Sequence, residues 1–359
     1  MWFVSIILLN YNGKRFNKPC IDSILQQNYQ NFEIIFVDNS STDWSLEEVK
    51  KIYQKESQSR KIIIIESKKN TWFAWGNNLW VQHASRNSEY ICLLNNDTTV
   101  PKNRLRKLMD GIQSNATLWA ISWMILDVWY EAQTLEIYKD KKEVFTPNIF
   151  GEIVINKISP KEAKTWIYYT AGLSGCCFLY KRSIIEKPFP DFYFAYTEDI
   201  FLSRYILYKW YTLGISTESI IHHHGSWSFG KKPSNFKLFY GNRNQIINYL
   251  VFYNISTIVK LLPLFLITQI SHLFINSFWK RLWAKIKAWT WICKHSRQIR
   301  KLRKFIQENK KIQEKEFIQH LSYKFNDNIP RWNFWKITVK IIRSMNKIFT
   351  SYCRYFLYK

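Results

Sequence analysis

The sequence predicts an α/β fold, with a mostly parallel central sheet and helices on both faces, followed by a helical, basic region. Three observations carry this. Short apolar runs at residues 32–37 and 90–94 alternate with amphipathic stretches over the first hundred residues, the pattern of strands joined by helical crossovers. Polar and acidic residues follow these runs directly, where such sheets gather ligand-binding groups. Residues 280–359 carry 21 Lys and Arg against four Asp and Glu, a large part of a net charge of +25.

Taken in order, a first strand at 2–9 runs into Asn10, Tyr11, Asn12 and Gly13, a turn signal, and then into a helix near 18–27. A strand at 32–37 ends in Asp38, and the polar run from Asn39 to Asp43 leads into a helix at 45–56. A strand at 62–65 precedes a loop and a helix at 77–86, and a strand at 90–94 ends at Asn95, Asn96 and Asp97, with Pro101 opening another helix. Residues 119–170 are less regular and are expected to hold antiparallel strands and an insertion. A helix is expected at 198–209.

The apolar start lacks a basic segment and a small-residue cleavage site, so it reads as a strand and not as a signal peptide. Cysteines 20, 92, 176, 177, 293 and 353 have neither CxxC nor zinc spacing, which predicts reduced thiols in a cytoplasmic setting. Lys260, Pro263, Gln269 and His272 interrupt the apolar stretch 257–278, and a spanning helix needs about 20 apolar residues. The stretch is therefore expected to lie in a membrane interface, beside basic helices bearing Trp279, Trp283, Trp289 and Trp291. A buried helix pair is the alternative. An anionic membrane surface is the expected partner; no nucleic-acid module is recognisable.

Six stretches in order resemble family 2 glycosyltransferases, inverting nucleotide-sugar enzymes with the GT-A fold, and most closely their rhamnosyltransferase-like branch. They are residues 4–12, 32–43, 76–78, 94–98, 194–199 and 222–225. The resemblance covers about residues 3–245, implying a transferase domain at 1–245 and a membrane-associating region at 246–359. It also exposes an anomaly. Trp44, Trp72, Trp75, Trp80, Trp210 and Trp227 fall where the family usually has glycine, in a chain with 17 Trp and ten Gly. Glycine serves positive φ and close backbone approach, and an indole serves neither. The pattern predicts that glycine is native there, as when UGA codons are translated as tryptophan although the source organism inserts glycine.

The resemblance implies roles for particular residues. Asp97 matches the last position of the family's Asp-x-Asp signature and would bind Mg²⁺ or Mn²⁺, a divalent cofactor bridging the donor's phosphates. Asn95 stands at the first acidic position, so the site should be weak. His222, and secondly His224, match the metal-ligand histidine. Asp199 would be the general base, with Glu198 orienting the acceptor. Tyr11, Asn12, Asp38, Asn39 and Asn96 would meet the nucleotide, and Arg243 its pyrophosphate. Gly172, Ser174 and Gly175 would line the sugar–acceptor side. Residue chemistry alone leaves other roles open: Asp97 as a helix cap, Asp199 as an acid in a helix's first turn, Arg243 as a surface cation.

The expected protein is an inverting, metal-dependent glycosyltransferase at the cytoplasmic face of the membrane. It would move a sugar from a dTDP- or UDP-linked donor to a saccharide or polyprenyl-linked acceptor in cell-surface polysaccharide synthesis. A non-catalytic nucleotide-binding scaffold on the same fold is the competing expectation.

Overall fold

The computed structural model describes residues 2–71, 73–127, 143–157, 165–185, 187–224, 234–274, 278–322, 347–353 and 355. Trp72, Trp227 and Gly225 lie outside them. The strands are β1 (Val4–Asn10), β2 (Phe32–Asp38), β3 (Ile62–Glu66), β4 (Tyr90–Asn95), β5 (Thr98–Thr99), β6 (Leu118–Asp127), β7 (Glu143–Pro147), β8 (Ile153–Lys157), β9 (Ile167–Thr170), β10 (Cys177–Lys181) and β11 (Thr212–His223). The helices are α1 (Lys14–Leu25), α2 (Ser45–Ile52), α3 (Gln54–Gln58), α4 (Phe73–Val81), α5 (Arg104–Gln113), α6 (Glu198–Tyr208), α7 (Asn235–Phe252), α8 (Ile255–Ser271), α9 (Phe278–Lys294), α10 (Ser296–Glu308) and α11 (Glu314–Gln319).

The main sheet runs β3-β2-β1-β4-β10-β6-β11-β5, with β9 also paired to β11. Strands β3, β2, β1 and β4 are parallel, in the crossover pattern the first hundred residues predict. Beyond β4 the sheet turns mixed: β10 is antiparallel to β4 and β6, β11 is parallel to β6, and β9 and β5 are antiparallel to β11. The expectation of a mostly parallel sheet is corrected to a half-parallel one. The second half pairs strands far apart in sequence, β10 with β4 and β6 and β9 with β11, in antiparallel register.

Alternation along the strands builds two apolar layers. Ile6, Leu8, Ile34 and Phe36 point to the layer shared with Ile21 of α1 and Leu108 of α5. Ile7, Ile35 and Val37 point to a layer shared with Phe201 and Tyr205 of α6, Phe252 of α7, Phe265 of α8 and Ile306 of α10. The C-terminal helices are thus part of the core. The boundary expected at 245–246 falls inside α7, which is continuous from Asn235 to Phe252. Lys285 of α9, buried, ties the tail further by donating to Asn242 Oδ1 (2.9 Å) and Gln269 Oε1 (2.6 Å).

Two of the tryptophans at family glycine positions hold the backbone that glycine favours. Trp44 has φ 63° and Trp210 φ 66°, both left-handed. Trp44 is 71% exposed, so its indole gains little by packing, while Trp210 donates from Nε1 to Glu316 Oε1 (3.1 Å). Trp80 differs: it lies within α4, buried, its Nε1 without a hydrogen-bond partner. A left-handed backbone costs a side-chain-bearing residue about 1–2 kcal/mol. Trp44→Gly should therefore stabilise the protein by about 1 kcal/mol, read as a higher urea midpoint at unchanged slope. A lower midpoint would show that the indole belongs there.

Candidate functional site

The site forms where β4, β11 and the start of α6 meet. β4 ends at Asn95, the chain turns through Asn96 and Asp97, and β5 then pairs with His222 and His223. His224 N–H donates to the Asp97 carbonyl (2.8 Å), closing this corner. The carboxylate of Asp97 thereby comes to 3.4 Å from His223 Nε2 through its Oδ1. The side chain that meets the Asp97 carboxylate is that of His223, between the His222 and His224 of the metal-ligand expectation. Successive strand residues face opposite sides, so the side chain of His223 must diverge from its two neighbours. The ring of His224 lies 5.7 Å from that of Phe16. Burial, then His224 and Arg104, hold the imidazolium pKa of His222 below its usual value.

Asp199 approaches the same corner from the other side. Residues 196 and 197 are both left-handed (φ 69° and 60°), a strained entry that turns the chain into α6 at Glu198. Gly175 N–H donates to Asp199 Oδ2 (2.9 Å), and Ile200 N–H to Oδ1 (2.8 Å). A Cβ on Gly175 would stand 3.4 Å from that carboxylate, in ordinary van der Waals contact. One residue on, the Cys176 carbonyl accepts from Asn95 N–H (2.8 Å), and His223 lies near enough to act on the Cys176 thiol. The segment Ser174–Cys176 therefore links Asp199 to the end of β4 and the Asp97–His223 pair.

Electrostatics divides the two acids. Burial, then the charge of Asp199, raises Glu198, whose Oε2 has no hydrogen-bond partner. Burial raises Asp199 too, but the Gly175 and Ile200 N–H groups oppose it. Of the two, Asp199 is the one equipped to carry negative charge, with Glu198 holding a proton beside it. Thr197 Oγ1 and Asp97 Oδ1 are also buried without hydrogen-bond partners. Unsatisfied polar atoms at one corner are the mark of a place meant for a ligand.

Among the described residues, no three His, Cys, Asp or Glu side chains form a metal-ligand cluster. Asp97 Oδ1, without a hydrogen bond and 3.4 Å from His223 Nε2, is nonetheless a hard anionic donor beside an imidazole. These residues fit a divalent ion whose remaining ligands come from a bound phosphate or water.

On the other side of β4, Asn10 organises the loop at the ends of β1 and β2. Its Nδ2 donates to Asp38 Oδ1 (2.8 Å), Ser41 Oγ (3.0 Å) and Ser45 Oγ (2.8 Å), while its Oδ1 accepts from Asn96 Nδ2 (2.9 Å). Asn96 also donates to Asn17 (2.8 Å). Asp38, 2% exposed, accepts from Ser41 N–H as well, so it shapes the loop and does not itself face an opening. Asn12 accepts from Thr42 N–H (2.7 Å). The Asn39 carbonyl, expected to meet a base, accepts from Thr71 N–H and Oγ1 (2.7 and 2.8 Å). Tyr11 remains 42% exposed above this loop.

Two further expectations shift. Arg243 is enclosed and donates to the Phe192 carbonyl and Asn244 Oδ1, its guanidinium 4.4 Å from the Trp291 ring centre. It clamps the loop before α6 and is not placed to hold a pyrophosphate. Gly172 is buried where a Cβ would meet the Pro147 ring at 2.5 Å, so it serves close packing and not a ligand. Gly175 bonds Asp199 directly, and Ser174 precedes it in the chain. Asn10 and His223 went unassigned in the sequence reading; the strand pairings alone reveal them.

The family model for glycosyl transferase family 2 matches residues 5–189, and the chain belongs to this family. Among curated proteins it is similar to the glycosyltransferase GlyG of Streptococcus pneumoniae, 29% identical over 110 residues, 31% of this chain and 35% of that protein. An uncharacterized glycosyltransferase of Haemophilus influenzae is 30% identical over 115 residues, 32% of this chain and 44% of that one. The chain thus spans less than half the length of these relatives. The fold is shared with the solved structure of GalNAc-T7 with UDP, GalNAc and Mn²⁺ (TM-score 0.56, 15% identity, 70% of this chain and 48% of that one). It is also shared with Staphylococcus aureus TarS 1–349 in complex with UDP (TM-score 0.50, 14% identity, 98% and 91%).

Asn10→Ala should destabilise the protein by about 1–3 kcal/mol, because the buried Asp38 and Asn96 groups lose their shared partner. Urea denaturation monitored by tryptophan fluorescence reads the loss; an unchanged midpoint would remove Asn10 from this role.

Proposed function

We propose that the chain is an inverting, metal-dependent glycosyltransferase of the hexosyltransferase type, taking a UDP- or dTDP-linked sugar, rhamnose-like sugars included, as donor. The observation that carries this reading is the pair Gly175–Cys176, whose N–H bonds Asp199 and whose carbonyl bonds Asn95, two residues before the Asp97 that lies beside His223. Family membership and the UDP and Mn²⁺ named with the fold neighbours support it.

In this reading Tyr11 packs on the nucleotide base, above the loop that Asn10, Asn12, Asp38 and Asn39 order. Asp97 and His223 hold a Mg²⁺ or Mn²⁺, which when bound neutralises the departing diphosphate as a Lewis acid. Asp199 takes the proton of the acceptor hydroxyl as that oxygen bonds to the anomeric carbon and the bond to the diphosphate oxygen breaks. Attack from the face opposite the leaving group inverts the anomeric centre. Thr197 and neutral Glu198 offer hydrogen bonds to other acceptor hydroxyls, and Ser174 and Gly175 leave room for the sugar. The acceptor is a saccharide or lipid-linked saccharide used in cell-surface polysaccharide, met at the cytoplasmic face of the membrane. Glycine at positions 44, 72, 75, 80, 210 and 227 completes the proposal, and UGA codons there in the gene would agree with it; TGG codons would refute it.

A non-catalytic scaffold is favoured by one observation, the commitment of the Asn39 carbonyl to Thr71. Turnover separates the readings. Asp199→Asn should cut sugar transfer, or donor hydrolysis by water, about 10²–10⁴-fold while UDP affinity stays within twofold. Equal turnover in the variant would remove Asp199 as base. Asp97→Asn should instead weaken Mn²⁺ binding in the presence of UDP at least tenfold, followed by the electron paramagnetic resonance of free Mn²⁺.

The pH profile follows from the environment of the base. Asp199 works only when ionised, and burial raises its pKa. Activity is therefore present above that raised pKa and lost as pH falls through it. The acid limb of kcat/KM should lie above the pH of an ordinary aspartate, about 3.9. A limb at or below that value would contradict the arrangement.

A further inference from the structure

Helix α8 is apolar on its exposed side as well as on its buried one, where Leu261, Leu264 and Phe265 pack. Its exposed side carries Ile255, Val259, Leu262, Leu266 and Ile270, at spacings of three and four residues, interrupted by Lys260. Its buried side includes polar Thr257, Thr268 and Gln269, with Phe265 stacked on Tyr249 of α7 at 4.2 Å. On α9 the exposed large side chains are Trp279, Trp283, Ile286 and Trp289, with Lys280 and Lys287 exposed among them. The exposed positions of α10 include Arg297, Arg300, Lys301 and Lys304.

Charge identifies what this surface meets. Residues 219–307 contain no Asp or Glu and fifteen Lys and Arg. A run this long without an acid is repelled by cations and attracted by any dense anionic surface. Nucleic acid would suit the charge but not α8, whose outer face is aliphatic with a single lysine. A helix presenting aliphatics, beside one presenting indoles and lysines, matches the depth profile of a bilayer interface. Acyl chains meet the aliphatics, headgroups meet the indoles, and anionic phosphates meet the cations. No helix of the described residues is long and apolar enough to cross a membrane, and α8 has 17 residues with Pro263 inside it.

We propose that the outer faces of α8 and α9 dock on an anionic lipid bilayer, the helices lying in its plane, with α10 supplying further cationic contact. This gives the membrane association in the reading above a specific face, and it rests on that reading only for the identity of the acceptor. The face is carried by helices that pack on α7, so the sheet and its site travel with it to the lipid.

The test uses the full chain and vesicles of phosphatidylcholine, with or without 30% phosphatidylglycerol, in a sedimentation assay. Binding should be at least tenfold tighter to the anionic vesicles and should weaken as salt is raised. Val259→Glu/Leu266→Glu, both exposed, should reduce it at least tenfold with an unchanged circular dichroism spectrum and unchanged donor hydrolysis. Lys301→Gln/Lys304→Gln should weaken it less, and mainly at low salt. Equal vesicle binding by the double glutamate variant would overturn the face. So would a self-association of the wild type, seen by sedimentation velocity, that this variant abolishes without lipid binding by either protein. Vesicle binding does not depend on turnover, so a protein that binds as expected but never transfers sugar refutes the enzymatic reading and leaves the docking face standing.

Discussion

The site depends on one short bridge. Gly175 N–H reaches Asp199, and the next residue's carbonyl is held by Asn95 N–H. Two backbone hydrogen bonds one residue apart therefore set the position of a helix-borne carboxylate relative to the end of a parallel strand. Neither bond involves a side chain of the bridge, so the bridge itself can stay small. A Cβ at this position would stand in ordinary van der Waals contact with Asp199, at 3.4 Å, so it is the N–H of residue 175 and not the lack of a side chain that fixes the carboxylate. The same N–H that positions Asp199 also lowers its proton affinity relative to Glu198, so geometry and ionisation have a common origin.

Much of the first half was legible in the chain. Alternating apolar runs locate β1 to β4 within a residue or two, because buried parallel strands are continuous and their crossovers amphipathic. The acids at strand ends followed from the same logic. The second half was harder. β10, β6 and β11 are brought together by long-range pairing that no local period announces, and so the sheet was expected to be more parallel than it is. Arg243 shows the same difficulty at a single residue. From the sequence it is a cation near the end of the catalytic region; whether it faces solvent or a ring such as Trp291 is decided by a helix forty residues later. The histidine run shows the remaining limit: periodicity says that His223 opposes its neighbours, but only β5 pairing says which side holds Asp97.

Strain is concentrated where the chemistry is expected. Residues 196 and 197 take two successive left-handed conformations immediately before the acids of α6. Side chains from α7 hold that turn: Asn244 Nδ2 donates to the carbonyls of residues 195 and 196, and Asn248 Nδ2 to that of Thr197. Trp44 and Trp210 also hold left-handed backbone, Trp210 with its indole bonded to Glu316.

Helix α7 has a consequence for how such a protein can change. One of its edges grips the turn that leads into Glu198 and Asp199, and its other contacts carry α8, α9 and α10. Recombination that exchanged the C-terminal third at residue 245 would sever this helix midway, leaving Asn248 to be supplied by a foreign partner. Lineages can thus diversify the C-terminal helices by point substitution far more easily than by module exchange, and a viable chimera would need its junction upstream of Asn235.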